Sequence, residues 1–288
     1  MSASTTSASQ RLRTILVYAG MAVLLAAFLY PLWWMVSSSF KPGPEIVTSP
    51  LSFDPRHVTL ANYRAMFGTV PILTGFLNTA VMLVLKGGIT LVFCPLAGFA
   101  FAKYRFPGKN FLFGFILLTL MLPTLVLVIP LLLEMSLLGW VNTYQGLVLP
   151  GAIDAFSIFW MRQVIAGIPD ELLEAGRLDG CSAFSLYRRI VLPVIRPGLA
   201  ALAVLTFLGV YNDFLWPVVV MNDQSKQTLQ VVLSNLSQAI SGAQVDLNPA
   251  SVWGQLLAAT TVATIPVVIV FVLLQRHFVR GILAGSTK

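Results

Sequence analysis

Three ionisable residues lie inside long apolar runs: Lys86, Asp154 and Asp213. A charge at the centre of a membrane helix costs roughly 2.5–3.5 kcal/mol on insertion scales, so each marks a place where a partner group or a passing solute is met. Each lies about eight to ten residues from the outer end of its run, a common depth of roughly 12–15 Å at about 1.5 Å per residue. That depth predicts an ion pair of Lys86 with either Asp154 or Asp213. Tyr211, Asn212 and Trp216 fall near the same level. Flat aromatic faces beside amides and carboxylates are the chemistry that holds a sugar. A purely structural clamp between helices would use the same groups, and both readings stand at this point.

Other chemistries lack their residues. No Gly-x-x-x-x-Gly-Lys-Ser/Thr stretch is present to cradle a nucleotide phosphate, so ATP and its Mg ion would have to be handled on partner subunits, with no cofactor in this chain. His57 and His277 are far apart, and no Cys/His or His/Glu grouping has ligand spacing, which predicts no metal site. There is no nucleophile elbow, and neither paired inverted halves nor an ion relay of the kind a secondary transporter needs. The chain is expected to be non-catalytic.

A second candidate is a polar stretch, Glu171 to Pro193, whose punctuation predicts two short helices. Pro169 suits the first helical position, and Asp170 and Glu171 suit the positive end of the helix dipole. Gly180 stops the first helix. Ser182 is a fit N-cap for the second, which places Phe184, Tyr187 and Val191 on one face and Arg188 and Arg189 elsewhere, until Pro193 ends it. Such a hairpin is a docking knob.

The elements around these residues are apolar. Mean hydropathy of +0.84, 57% hydrophobic residues and only 10% charged ones exclude a soluble domain, and 288 residues hold several spans of about 20 residues each. The fold class read here is an all-α polytopic membrane protein with six transmembrane helices, at 14–36, 76–100, 111–133, 144–161, 198–221 and 256–275. Residues 1–13 form a disordered tail, 37–75 an outer loop too rich in proline to span, 162–197 the hairpin region, 222–255 a second outer loop and 276–288 a closing tail; the permease domain proper is about 76–275. Pro123 and Pro130 in the third span call for a kink relieved by neighbouring helices.

Charge gives the orientation. With both termini inside, Arg11, Arg13, Lys103, Arg105, Lys109, Arg162, Arg177, Arg188, Arg189, Arg196, Arg276, Arg280 and Lys288 are cytoplasmic, against Lys41, Arg56, Arg64 and Lys226 outside. Basic residues gather on the cytoplasmic side of membrane proteins, so the net charge of +7 is a topology signal and implies no nucleic-acid partner. The same count puts the hairpin on the side where ATP is.

Glu174-Ala175-Gly176, then Gly180, then Ile190-x-Leu192-Pro193 resembles the EAA loop of the membrane-spanning permeases of ATP-binding-cassette importers. That family has Ala where this chain has Gly176, and the missing methyl predicts a slightly loosened helix, about 1 kcal/mol by propensity. The resemblance assigns ATPase coupling to Glu171, Glu174, Ala175, Gly176, Asp179, Gly180, Ile190, Leu192 and Pro193. Four further stretches, 97–106, Met161-Arg162-Gln163, 211–217 (with Tyr211 where a Trp is common) and 275–281, are similar to the carbohydrate-uptake branch, the smaller permease of maltose-type importers. It implies a type I importer fold in a bacterial or archaeal cytoplasmic membrane. It also implies a second, different permease, two ATP-binding subunits and an extracytoplasmic solute-binding protein facing 222–255. The solute implied is an oligosaccharide or disaccharide, with a glycerophosphodiester, polyol or peptide as the alternative.

Overall fold

The computed structural model describes residues 8–52, 54–241 and 249–285. Parts of the two expected tails and of the second outer loop, at 1–7, 286–288 and 242–248, lie outside the described residues. Among those described there is no strand. In chain order the helices are α1 (Ala8–Ser39), α2 (Gly43–Thr48), α3 (Ala61–Thr69), α4 (Ile72–Lys103), α5 (Lys109–Leu120), α6 (Thr124–Leu137), α7 (Tyr144–Val148), α8 (Ala155–Ala166) and α9 (Asp170–Leu178). They continue as α10 (Ala183–Val194), α11 (Arg196–Tyr211), α12 (Leu215–Val220), α13 (Leu229–Ser241) and α14 (Pro249–Gly285). The described residues form two compact units, one drawn from 1–70 and 235–263, the other from 71–234 and 264–288.

Among the described residues, three helical stretches are long and apolar enough to cross a membrane: Gln10–Ser39, Ile72–Lys103 and Val252–Leu273. Two bent pairs, α5 with α6 and α10 with α11, raise the number to five if each pair is one span. Proline explains where the expected spans differ. At 111–133 the chain does not kink but breaks: Pro123 is extended (ψ 128°) and caps α6, and α5 and α6 meet at 105°. The ring of a proline disfavours helix in the residue before it. Pro130, by contrast, stays inside α6. The stretch 144–161 divides at Pro150 and Gly151, the latter at φ +71°, so its second half, α8, begins at Ala155 and runs on to Ala166. The stretch 198–221 is interrupted at 212–214. Pro217 lacks an N–H, and its ring crowds the carbonyl four residues earlier, which belongs to Asp213.

Several stretches read as tail or loop are helical. Residues 8–13 of the first expected tail already belong to α1, α2 and α3 lie within the expected loop 37–75, and 276–285 of the closing tail belongs to α14. Within 222–255, α13 buries Leu229, Val231 and Val232.

In the first unit the chain leaving α1 is fastened back. Asn62 Nδ2 donates to the carbonyls of Ser39 (2.8 Å) and Lys41 (2.7 Å), while Lys41 and Trp34 both donate to Pro50 O, at 2.9 and 2.7 Å. In the second unit α4 is the axis, and two apolar clusters form along it. One gathers Phe99, Met161, Ile165, Leu173, Tyr187, Val191 and Leu202; the other gathers Met82, Met135, Leu147, Trp216 and Met221. Gly98 is where α4 and α8 touch: a Cβ there would lie 2.8 Å from Arg162 N and 2.9 Å from Met161 Cβ.

Candidate functional site

The hairpin forms by the local rules. Asp170 and Glu171 occupy the first turn of α9, with Pro169 one place earlier than expected, at the N-cap. Gly180 adopts φ +79°, a conformation open to glycine, and closes α9 with bonds from Gly180 N to Arg177 O and from Cys181 N to Gly176 O. Ser182 caps α10 by accepting from Ser185 N.

The second arm departs from expectation in two ways. Residues 187–191 form a π turn, with Leu192 N donating to Tyr187 O, so the helix runs through Pro193 and ends at Val194. The wider turn makes room for a proline whose ring would otherwise strike the carbonyl of Arg189. The buried face consists of Leu186, Tyr187 and Val191, while Phe184 is 66% exposed. Arg188 and Arg189 point outward as expected.

The residues of the Glu-Ala-Gly pattern separate by role. Glu171, Glu174, Ala175, Asp179 and Gly180 are exposed along one side, together with Leu178 at 89%. Gly176 is buried. A Cβ there would come within 2.5 Å of Ile190 Cδ1 and 2.7 Å of Leu186 Cδ2, so the absent methyl closes the two arms on each other and does not loosen them. Ile190 and Leu192 pack at the edge of the cluster around Phe99, and Pro193 continues the arm. An acidic arm ending in exposed leucine and phenylalanine is a surface a protein groove can hold.

The second candidate is a cavity of 370 Å³ lined by Lys86, Thr90, Gly151, Asp154, Phe156, Ser157, Leu202, Leu205, Thr206, Gly209 and Val210. The ion pair of Lys86 is with Asp213, Nζ to Oδ2 3.5 Å, and both side chains are largely buried. Asp154 is the N-cap of α8: its carboxylate accepts from Ser157 N at 2.8 Å and from Ser157 Oγ at 2.5 Å. Thr90 donates to Ala152 O at 2.6 Å, tying α4 to the turn before Asp154.

The aromatic residues expected beside these charges do not line the cavity. Trp216 is buried in the cluster around Met82, its Nε1 donating to Gly146 O at 2.9 Å, and Tyr211 stacks on Phe207 with ring centroids 5.4 Å apart. Asn212 is exposed at the break, donating to Leu208 O. Neither ring face is open to a solute there.

Several residues with structural roles were silent in the sequence. Asn78 Nδ2 donates to the carbonyls of Ser225 (3.0 Å) and Gln227 (2.9 Å), Thr79 accepts from Leu229 N, and Tyr144 donates to Asn78 Oδ1, so the loop before α13 is seated on the start of α4. At the other end of α4, Lys103 donates to Ile168 O and to Asp170 Oδ1. Their partners lie 65 to 150 residues away, beyond any local pattern.

Long apolar helices, two sharply bent helix pairs, a largely apolar cavity that takes in Lys86 and Asp154, and a helical hairpin with one face exposed suit a membrane transport component. The family of binding-protein-dependent transport system inner membrane components matches residues 95–284, and this chain is a member of that family. It is 34% identical over 272 residues to the arabinooligosaccharides transport system permease protein of Halalkalibacterium halodurans, covering 93% of this chain and 94% of the relative. It is 32% identical to the lactose transport system permease protein of Rhizobium radiobacter, over 98% of this chain and 99% of that one. The sn-glycerol-3-phosphate transport system permease protein of Brucella abortus is 34% identical, over 91% and 92%. A crystal structure of a bacterial ABC transporter involved in the import of the acidic polysaccharide alginate superposes with a TM-score of 0.82 at 25% identity, covering 96% of this chain and all of that one. The chain is thus a multi-pass inner-membrane permease component of a binding-protein-dependent ABC importer, a class that works with an ATPase and a binding protein.

Proposed function

We propose that this chain is one of two different permease subunits that, with two ATP-binding subunits and an extracytoplasmic binding protein, import a neutral oligosaccharide or disaccharide. It has no catalytic step of its own. ATP and Mg act on the partners, and six crossings of a bacterial or archaeal cytoplasmic membrane leave both termini inside. In this reading the second half of the stretch at 144–161 and the bent pairs count as crossings in company with neighbouring helices.

The observation that carries the coupling role is the hairpin's two-sidedness: Leu173, Tyr187 and Val191 are buried in the cluster with Phe99 and Met161, and Gly176 between the two arms, while Glu174, Leu178 and Phe184 face outward. A rigid knob seated in an ATPase groove moves with it when the ATPases close, and the attached helices rock between inward and outward openings. Gly180→Pro removes the N–H bonded to Arg177 O and forbids the positive φ, and Glu174→Lys reverses the exposed charge. Either is expected to leave the protein in the membrane yet cut uptake at least tenfold while ATP turnover persists; normal uptake in either would remove the coupling role.

For the solute, two of the relatives handle arabinooligosaccharides and lactose. The relative for sn-glycerol-3-phosphate, a phosphomonoester, stands nearest to the glycerophosphodiester alternative without matching it. Charge favours the neutral solute: Lys86 is already offset by Asp213, and Asp154 adds a carboxylate to the cavity, an unfavourable neighbour for a phosphate. The test is ATP turnover by the purified complex with its binding protein and arabinooligosaccharide, lactose or glycerol 3-phosphate. Stimulation by a neutral sugar is expected, and stimulation by the phosphate alone reverses the assignment.

A further inference from the structure

Lys103 stands where three segments meet. It is the last residue of α4, and its side chain is only 7% exposed. Its ammonium donates to Ile168 O, just beyond α8, and to Asp170 Oδ1, in the first residue of α9, at 2.7 Å. One turn earlier Phe99 packs on Tyr187 of α10, ring centroids 5.6 Å apart. The end of α4 therefore grips both arms of a hairpin to which it is not adjacent in the chain: α9 through Lys103 and α10 through Phe99.

The covalent route out of the hairpin is softer. After α10 the chain turns through 80° before α11 begins, and before α9 it passes Gly167 and Pro169. By contrast, α4 stays helical through all 32 residues, with Pro95 inside it buried among its neighbours, and it carries Lys86 about 25 Å from Lys103 at about 1.5 Å per residue. A displacement follows the stiffer path.

Resting on the coupling role proposed above, we infer that Lys103 is a positioning residue that pins the hairpin to α4, so that hairpin, α4 and Lys86 move as one body during the transport cycle. The strands of covalent chain on either side of the hairpin then follow the motion and do not drive it.

The test uses the complete transporter in proteoliposomes. Phe99→Cys and Tyr187→Cys are introduced together, with Cys94→Ala and Cys181→Ala, and bridged by a short bifunctional methanethiosulfonate reagent. Binding-protein-dependent uptake within about twofold of the unbridged protein is expected. Uptake lost on bridging and regained on reduction would mean that the hairpin must leave α4, and overturns the inference. Because cysteines in that core can unfold it, a second pair of variants is read by solute moved per ATP hydrolysed, which a loss of folded protein leaves unchanged. Lys103→Met is expected to lower this ratio at least fivefold and Lys103→Arg to restore it; an unchanged ratio in Lys103→Met overturns the pin. Gly180→Pro at the hairpin tip separates the two levels. If it spares uptake, the coupling role itself fails; if it uncouples while bridging also abolishes uptake, only the pin fails.

Discussion

Two lysines on α4 meet carboxylates in opposite settings. Lys103 bonds Asp170 at 2.7 Å, but that aspartate is 75% exposed and water reaches it. Lys86 faces Asp213 at 3.5 Å with both side chains largely enclosed, 13% and 22% exposed. An exposed carboxylate that loses its lysine is rehydrated, so the consequence is a mispositioned hairpin. An enclosed one is left as a lone charge among apolar groups, so the consequence is instability. The same residue type thus serves movement at one end of the helix and integrity at the other.

The largest effect expected from breaking this contrast is at the enclosed end. Lys86→Met should cost on the order of 2.5–3.5 kcal/mol, the insertion-scale value for an unpaired intramembrane charge, seen as reduced yield and a lowered melting temperature of the purified complex. Adding Asp213→Leu should recover most of it. A Lys86→Met protein as stable as the parent would show that the pair is not what holds 212–214 to α4.

Glycine sharpens the contrast at the next level. Gly98→Ala places a methyl against the backbone of α8, which cannot retreat without parting the helices, and about 1–3 kcal/mol of overpacking cost is expected in chemical denaturation. Gly176→Ala meets only the movable ends of Ile190 and Leu186 and regains up to about 1 kcal/mol of helix propensity. Its net change should stay within about 1 kcal/mol, and a loss as large as that of Gly98→Ala would show that the hairpin arms are as rigidly packed as α4 and α8.

The smallest effect is of pH on the exposed pair. Lys103, by its hydrogen bond and charge, holds Asp170 below the ordinary carboxylate value of 3.8. A depressed carboxylate stabilises the folded form above its unfolded pKa, and this is lost only as pH falls through the still lower folded value. Hydrogen exchange of the α9 amides is therefore expected to show no change in protection attributable to Asp170 from about pH 5 to 9, because its pKa lies below about 3.9 in both states. Loosening centred on pH 6 to 7 would mean that a different group controls the hairpin.

Much of the hairpin was legible because its signals are local. Gly180 must take a positive φ, Ser182 must cap, and Arg188 and Arg189 have no apolar partner to hide them. Its second arm was misjudged at Pro193, since the π turn at 187–191 just before it is invisible to a rule that treats every proline as a stop. The cavity was only half legible. Hydropathy singled out Lys86, Asp154 and Asp213, yet nothing in their spacing could say that Asp154 would cap α8 and leave Asp213 to the lysine. Nor could it say that Trp216, polar edge and all, would be satisfied by Gly146 O in the core.

By itself the sequence determined the class of protein, the apolar runs, the need to compensate three buried charges, and a helix-glycine-helix knob at 171–193; each follows from transfer free energy or from the conformational limits of single residues. Tertiary structure alone decided which carboxylate pairs with Lys86, where the expected spans break, and that Lys103 fastens the hairpin to a helix that ends 67 residues before Asp170. Those outcomes depend on which distant surfaces fit closely enough to exclude water, and no property of a residue's neighbours in the chain encodes that fit.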